Sequence, residues 1–84
     1  MGKKIAKAPT LDLHGYKTDE VFDAVDSFLL KNSHHKTVRL MPGKGSGAIK
    51  AKVIDYLKKA HYPWSYEKLP NGSNNEGVLI VHMQ

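Results

Sequence analysis

The chain has no cysteine, which excludes disulfides, thiolate metal sites and catalysis by a thiol. It also lacks any apolar run near the roughly 20 residues of a membrane span. Its start, Met1-Gly2-Lys3-Lys4-Ile5-Ala6-Lys7, has no apolar segment of the kind a secretory signal requires. These absences lead to the expectation of a cytoplasmic protein with no membrane partner. Aromatic residues are few, with one tryptophan, two phenylalanines and four tyrosines. Trp64, Tyr62 and Tyr66 could stack bases, but a lone tryptophan beside an apolar strand is more often a packing residue. Acidic residues are also scarce, 8 against 13 Lys and Arg.

At 84 residues the chain suits one small domain with a modest core. Residues 1–9 read as a flexible basic tail or linker, and residues 10–84 as the domain. The charge is unevenly distributed. From Lys17 to Lys31, four carboxylates (Asp19, Glu20, Asp23, Asp26) face two lysines. From Lys36 to Lys59, seven cations face Asp55 alone. A solvated lysine-rich helix would account for part of that excess. Because the basic segment includes a glycine loop, the asymmetry favours a polyanionic partner.

Thr10 to His14 alternates as a strand, with Leu11 and Leu13 on one side and Asp12 and His14 on the other. Thr18 is placed to cap a helix whose stripe is Val21, Phe22, Val25, Phe28 and Leu29 and which ends near Asn32-Ser33. Thr37–Met41 reads as a second strand. Pro42–Gly47 interrupts it and opens a second helix with an apolar face of Ile49, Val53, Tyr56, Leu57 and Ala60, stopped before Pro63. Trp64–Leu69 is a third strand, 70–77 a turn-rich loop, and Val78–Met83 a fourth and most apolar strand. The order βαβαββ implies a two-layer α/β sandwich with a mixed four-stranded sheet and two helices. Its strand–helix–strand units should make parallel neighbours and its last two strands an antiparallel pair. With both helices on one face, Leu11, Leu13, Val38 and Leu40 turn inward. Asp12, His14 and Arg39 line the open face.

In a parallel pair the loops after both strands leave at one edge, where open α/β sheets bind ligands. That places His14-Gly15 beside the loop Gly43-Lys44-Gly45-Ser46-Gly47. Glycines let backbone N–H groups approach an anion, the helix start adds partial positive charge, and Lys44 adds a full one. A phosphate is the natural guest, with Arg39, Lys50 and Lys52 as further cations. The P-loop pattern is absent. The loose match Gly43-x-Gly45-x-x-Ala48 to a dinucleotide fingerprint lacks the larger sheet that fingerprint serves. His14 can take or give a proton, and Asp12 two residues earlier can orient it. Asp12 has a structural alternative of equal weight, pairing with Arg39 or holding loop amides. His34 and His35, adjacent on a loop, are expected to point apart into solvent. His61 suits a helix C-terminus and His82 a polar strand face, and no histidine spacing has metal-site strength.

The stretches "LDLHG", "PGKGSGAIK" and "NNEGVLIVHM", in that order across Thr10 to Met83, resemble the Smr (small MutS-related) domain family. The resemblance implies a βαβαββ sandwich similar to the C-terminal domain of bacterial translation initiation factor three. It also implies DNA or RNA, including branched or structured forms, as ligand. The implied activity is DNA nicking or RNA cleavage in repair, recombination or RNA quality control, often dependent on a divalent ion such as Mg²⁺ or Mn²⁺. Partners would be the rest of a larger MutS-like chain or another protein. By position, the family's first motif falls on Asp12, His14 and Gly15, which implies Asp12 and His14 as catalytic residues. Its second motif, H-G-K/R-G-T/S-G, falls on Pro42 to Gly47. Here Pro42 stands where the family usually has histidine, while Gly43, Lys44, Gly45, Ser46 and Gly47 fit. The alternative to an endonuclease is therefore a binding or adaptor module without catalysis.

Overall fold

A computed structural model describes residues 8–43 and 47–83. The elements follow the expected order: β1 (Thr10–Asp12), α1 (Thr18–Lys31), β2 (Thr37–Met41), α2 (Ala48–Lys59), β3 (Trp64–Lys68) and β4 (Asn74–His82). The sheet order is β1-β2-β4-β3. β1 runs parallel to β2, with Asp12 opposite Met41, and β4 runs antiparallel to both β2 and β3. The first strand–helix–strand unit thus makes parallel neighbours as expected. The second does not, because β4 lies between β2 and β3. The physical reason lies in β4 itself. Its Val78, Leu79 and Val81 are buried, and so apolar a strand is best placed where neighbours cover both of its edges.

Both helices pack on one face. Val21, Val25 and Leu29 of α1 and Val53 and Leu57 of α2 meet Leu13, Val38, Leu40, Leu79 and Val81 in one core. The i, i+4 spacing of the helical residues makes one stripe, and the period of two puts Val38 with Leu40 and Leu79 with Val81 on one sheet face. Trp64 and Tyr66 pack against this core with ring centroids 5.1 Å apart, so both serve packing. The other sheet face stays open. By register it carries Thr10, Asp12, Thr37, Arg39, Ser65, Ile80 and His82.

Local departures from the pattern have local causes. The helix cap is Lys17, and Thr18 is already helical. The Glu20 carboxylate accepts the Lys17 N–H at 2.9 Å, so an acceptor three residues into the helix satisfies the terminus. β3 stops at Lys68 and β4 starts at Asn74, so half of the expected 70–77 loop is strand. Only 69–73 turn, closed by Leu69 N–H to Ser73 O (2.8 Å) and Gly72 N–H to Leu69 O (2.9 Å). The register slips between Tyr66 and Glu67, and past this bulge Asn75 pairs with Glu67 and Asn74 with Lys68.

Candidate nucleic-acid interface

The site edge begins where β1 stops. Leu13 N–H donates to Met41 O (2.9 Å), carrying the parallel pairing one residue past the strand. The chain then turns, with Tyr16 N–H donating to Leu13 O (3.0 Å). Gly15 holds φ +86° at the third position of this turn, the left-handed dihedral a type II turn requires and glycine tolerates. Asp12 Oδ1 accepts the His14 N–H at 3.0 Å. Of the two structural roles open to Asp12, holding a loop amide is the one realised. Arg39 is committed elsewhere. His14 lies exposed in the turn rather than on the strand face beside Asp12, because the strand ends at Asp12.

β2 ends at Met41, followed by a buried Pro42 and by Gly43 at φ +90°. Because Asp12 is opposite Met41, His14 and Gly43 each lie two residues past paired positions, and both chains leave the sheet at the same edge. Lys44, Gly45 and Ser46 lie outside the described residues. Gly47 returns as the cap of α2 at φ +91°. The first turn of α2 contains no acid, whereas that of α1 contains Asp19 and Glu20. The positive end of the α2 dipole is therefore not offset by a carboxylate in its own first turn.

The other expected cations are distributed more widely. Arg39 lies mid-sheet on the open face, with Nη2 2.8 Å from Glu67 Oε2 and Nη1 donating to Thr10 Oγ1 at 3.3 Å. Asn75 also donates to Glu67 (3.3 Å), while Arg39 Nε is buried without a partner. Lys50 lies 3.7 Å from Glu76 Oε1 and 4.8 Å from the Tyr66 ring centroid. Lys52 sits 5.3 Å from the Phe22 ring centroid, on the side of α2 that meets α1. Lys50 belongs to the first turn of α2 and stays near the site edge, whereas Lys52 is drawn toward the helix pair.

Among the described residues, no three His, Asp or Glu side chains come together in a way that could hold a metal ion. One carboxylate already accepting an amide and one imidazole do not build a cation site from protein groups alone. His14 is the one histidine at this edge. His34, His35, His61 and His82 all belong to the opposite edge, where β2 and β3 begin and β4 ends.

That opposite edge holds what the sequence reading missed. The His34 and His35 rings do not point apart, and their centroids are 4.3 Å from each other. His34 joins Lys36, Thr37 and His82 around a cavity of about 480 Å³. The segment His34–Thr37 was visible in the sequence. His82 reaches it only because β4 pairs with β2, which puts Thr37 opposite His82.

The family model described as "Smr domain" matches residues 11–84. A relative named Endonuclease MutS2 from Lachnoclostridium phytofermentans is 31% identical over all of this chain, which covers 11% of that protein. The same-named protein of Staphylococcus saprophyticus is 39% identical over 88% of the chain and 10% of its own length. The chain thus spans about a tenth of the curated relatives it matches. Among solved structures, the crystal structure of the Smr domain of Thermus thermophilus MutS2 superposes with a TM-score of 0.74 at 28% identity, covering 92% of this chain and 99% of that one. The solution structure of the SMR domain of NEDD4-binding protein 2 has a TM-score of 0.58 at 24% identity, covering 100% and 94%. It supports the likeness of fold.

Proposed function

Since this chain belongs to the Smr domain family, we propose that it binds a nucleic-acid backbone at the edge where β1 and β2 end and cleaves it there as an endonuclease. Parallel register carries the reading: it puts an exposed imidazole on the same edge as a glycine-rich helix entry. The relatives named as endonucleases support it. In this proposal Gly43 to Gly47, with Lys44, Ser46 and the start of α2, receive a phosphate, and Gly15 keeps the facing turn clear of side chain. Lys50 adds charge near the loop, and Arg39 and Lys52 lie further along the backbone path. His14 moves the proton, either from the attacking water or onto the leaving oxygen. Asp12 holds the His14 amide and so sets where the imidazole stands. Loop amides offset the charge that develops on phosphorus oxygens. DNA repair or recombination and RNA quality control are the settings proposed, in the cytoplasm. Among the described residues no helix is long and apolar enough to cross a membrane.

Pro42 favours a second reading. Its ring is buried and has no titrating group, so at this edge one imidazole serves where the family pattern would supply two. A domain that binds nucleic acid or a protein partner without cutting follows from that. Incubation with supercoiled plasmid and with single-stranded RNA, each with Mg²⁺ or Mn²⁺, separates the readings. Cleavage that falls by about 10²–10⁴-fold in His14→Ala, the usual range for a lost acid/base group, supports the endonuclease. Salt-sensitive binding with no cleavage by the wild type supports the module. Cleavage unchanged in His14→Ala rejects the role given to His14.

A further inference from the structure

The cavity at the far edge of the sheet has a composition of its own. Among the described residues its lining comes from His34, His82, Lys36 and Thr37, which bring two imidazoles, one ammonium and one hydroxyl and no carboxylate. Lys36 has no ion-pair partner among the described residues, unlike Lys50 and Lys59. The frame around it is fixed by the sheet: Met83 N–H donates to Lys36 O (2.8 Å) and His82 N–H to Pro63 O (2.9 Å). Ser65 Oγ lies 3.1 Å from His82 Nε2 and holds that ring, while the His35 ring lies against His34. Such a set of donors suits an oxyanion. It does not suit a metal ion, because the ammonium would repel one and, among the described residues, no third metal-ligating side chain joins the imidazoles.

We propose that the cavity formed by His34, Lys36, Thr37 and His82 is a second phosphate site, distinct from the glycine-loop edge. Its position suggests the source. Thr37 and His82 lie on the same open face as Arg39, and β2 from Thr37 to Met41 covers roughly 13 Å at strand rise. That span is about four nucleotide steps at the 3.4 Å rise of a duplex strand. A backbone held at the Gly43–Gly47 edge and crossing Arg39 would therefore bring a later phosphate to this cavity. The assignment of a nucleic-acid source rests on the function proposed above. A phosphate site as such does not, since free phosphate or a mononucleotide carries the same chemistry.

The test is a ¹H–¹⁵N titration of the whole chain, first with inorganic phosphate and then with a short single-stranded oligonucleotide, at constant pH and ionic strength. Phosphate is expected to shift the amides of Lys36, Thr37 and His82, and Lys36→Gln is expected to weaken that response at least fivefold. Lys36 is exposed, so the substitution leaves the core intact, and His82→Gln provides an independent variant. The oligonucleotide is expected to shift both edges, and Lys36→Gln to lower the slope of log affinity against log salt by about 0.7, one single-strand phosphate contact. Oligonucleotide shifts at both edges with no response to free phosphate support a site that reads phosphate only within a strand. Phosphate shifts at the cavity with no oligonucleotide binding support the site with a free phosphate ligand, and count against the nucleic-acid reading. Oligonucleotide shifts at the His14 edge alone, with phosphate inert at the cavity, overturn the second site and leave that reading standing. Equal shifts with acetate at the same ionic strength also overturn it.

Discussion

Pro42 is the residue on which the chemistry of the glycine-loop edge turns. It is buried and has no titrating group, so the proposed endonuclease has His14 alone for proton transfer at that edge. Pro42→His is expected to raise plasmid or RNA cleavage by about tenfold or more if a second imidazole completes the site, read as initial rates beside wild type and His14→Ala. Asp12 can be separated from general-base chemistry by its amide bond. Asp12→Asn retains an oxygen acceptor for the His14 N–H and is expected to stay within about 0.5 kcal/mol of wild type. Asp12→Ala, which loses the acceptor, should cost about 1 kcal/mol in chemical denaturation. Gly15 is constrained by its dihedral alone, since a Cβ there would meet nothing within 4 Å. Gly15→Ala should therefore cost about 1–2 kcal/mol. The roles of Asp12 and Gly15 in "LDLHG" were only partly legible in sequence. Alternation made the strand plain, but it did not say that the strand stops at Asp12 and releases His14 into a turn.

The two helices are held at their outer seam by Tyr56. Its hydroxyl donates to Asp26 Oδ1 at 2.6 Å, and its ring meets Phe22 edge-on at 5.5 Å. Burial of the phenol, and then its bond to the Asp26 carboxylate, push its pKa well above the ordinary tyrosine value. The folded state thus holds this proton more tightly than the unfolded chain does. The stabilisation is complete below the ordinary tyrosine pKa of about 10 and is lost as pH rises beyond it. Tyr56→Phe is expected to lower stability by about 1 kcal/mol at neutral pH and to flatten the decline above pH about 10, measured by urea unfolding across pH. At this scale the sequence was highly informative. Val21, Val25, Leu29, Val53 and Leu57 were placed by helical period, and all five are buried. The lysines of α2 were less legible, because a charge pattern does not tell which of them lie over Phe22 or beside Glu76.

For the whole molecule, one core under one sheet face leaves the opposite face and both edges for binding. Leu40 is completely buried at the centre of that core, and Leu40→Ala should cost about 2–5 kcal/mol, enough to remove much of a small domain's stability. Measured by thermal or urea unfolding, such a loss would carry binding down with it, so it serves as the folding control for the site variants. If phosphates are the ligand, affinity should fall linearly in log salt, and Lys44→Glu should weaken binding to all nucleic-acid sequences alike.

The sequence by itself determined the elements, the inward-facing residues and the shared edge at which His14 and Gly43 leave the sheet. Each depends on a period of two or 3.6, or on the parallel pairing that a short helical crossover favours. Only the tertiary structure decided that β4 enters between β2 and β3, because strand order depends on which strands most need cover on both edges. That insertion sets Thr37 opposite His82 and brings Arg39 within reach of Glu67, contacts between residues 45 and 28 positions apart. No local pattern encodes such distances. The cavity at the far edge and the engagement of Arg39 therefore emerged only once the sheet was assembled.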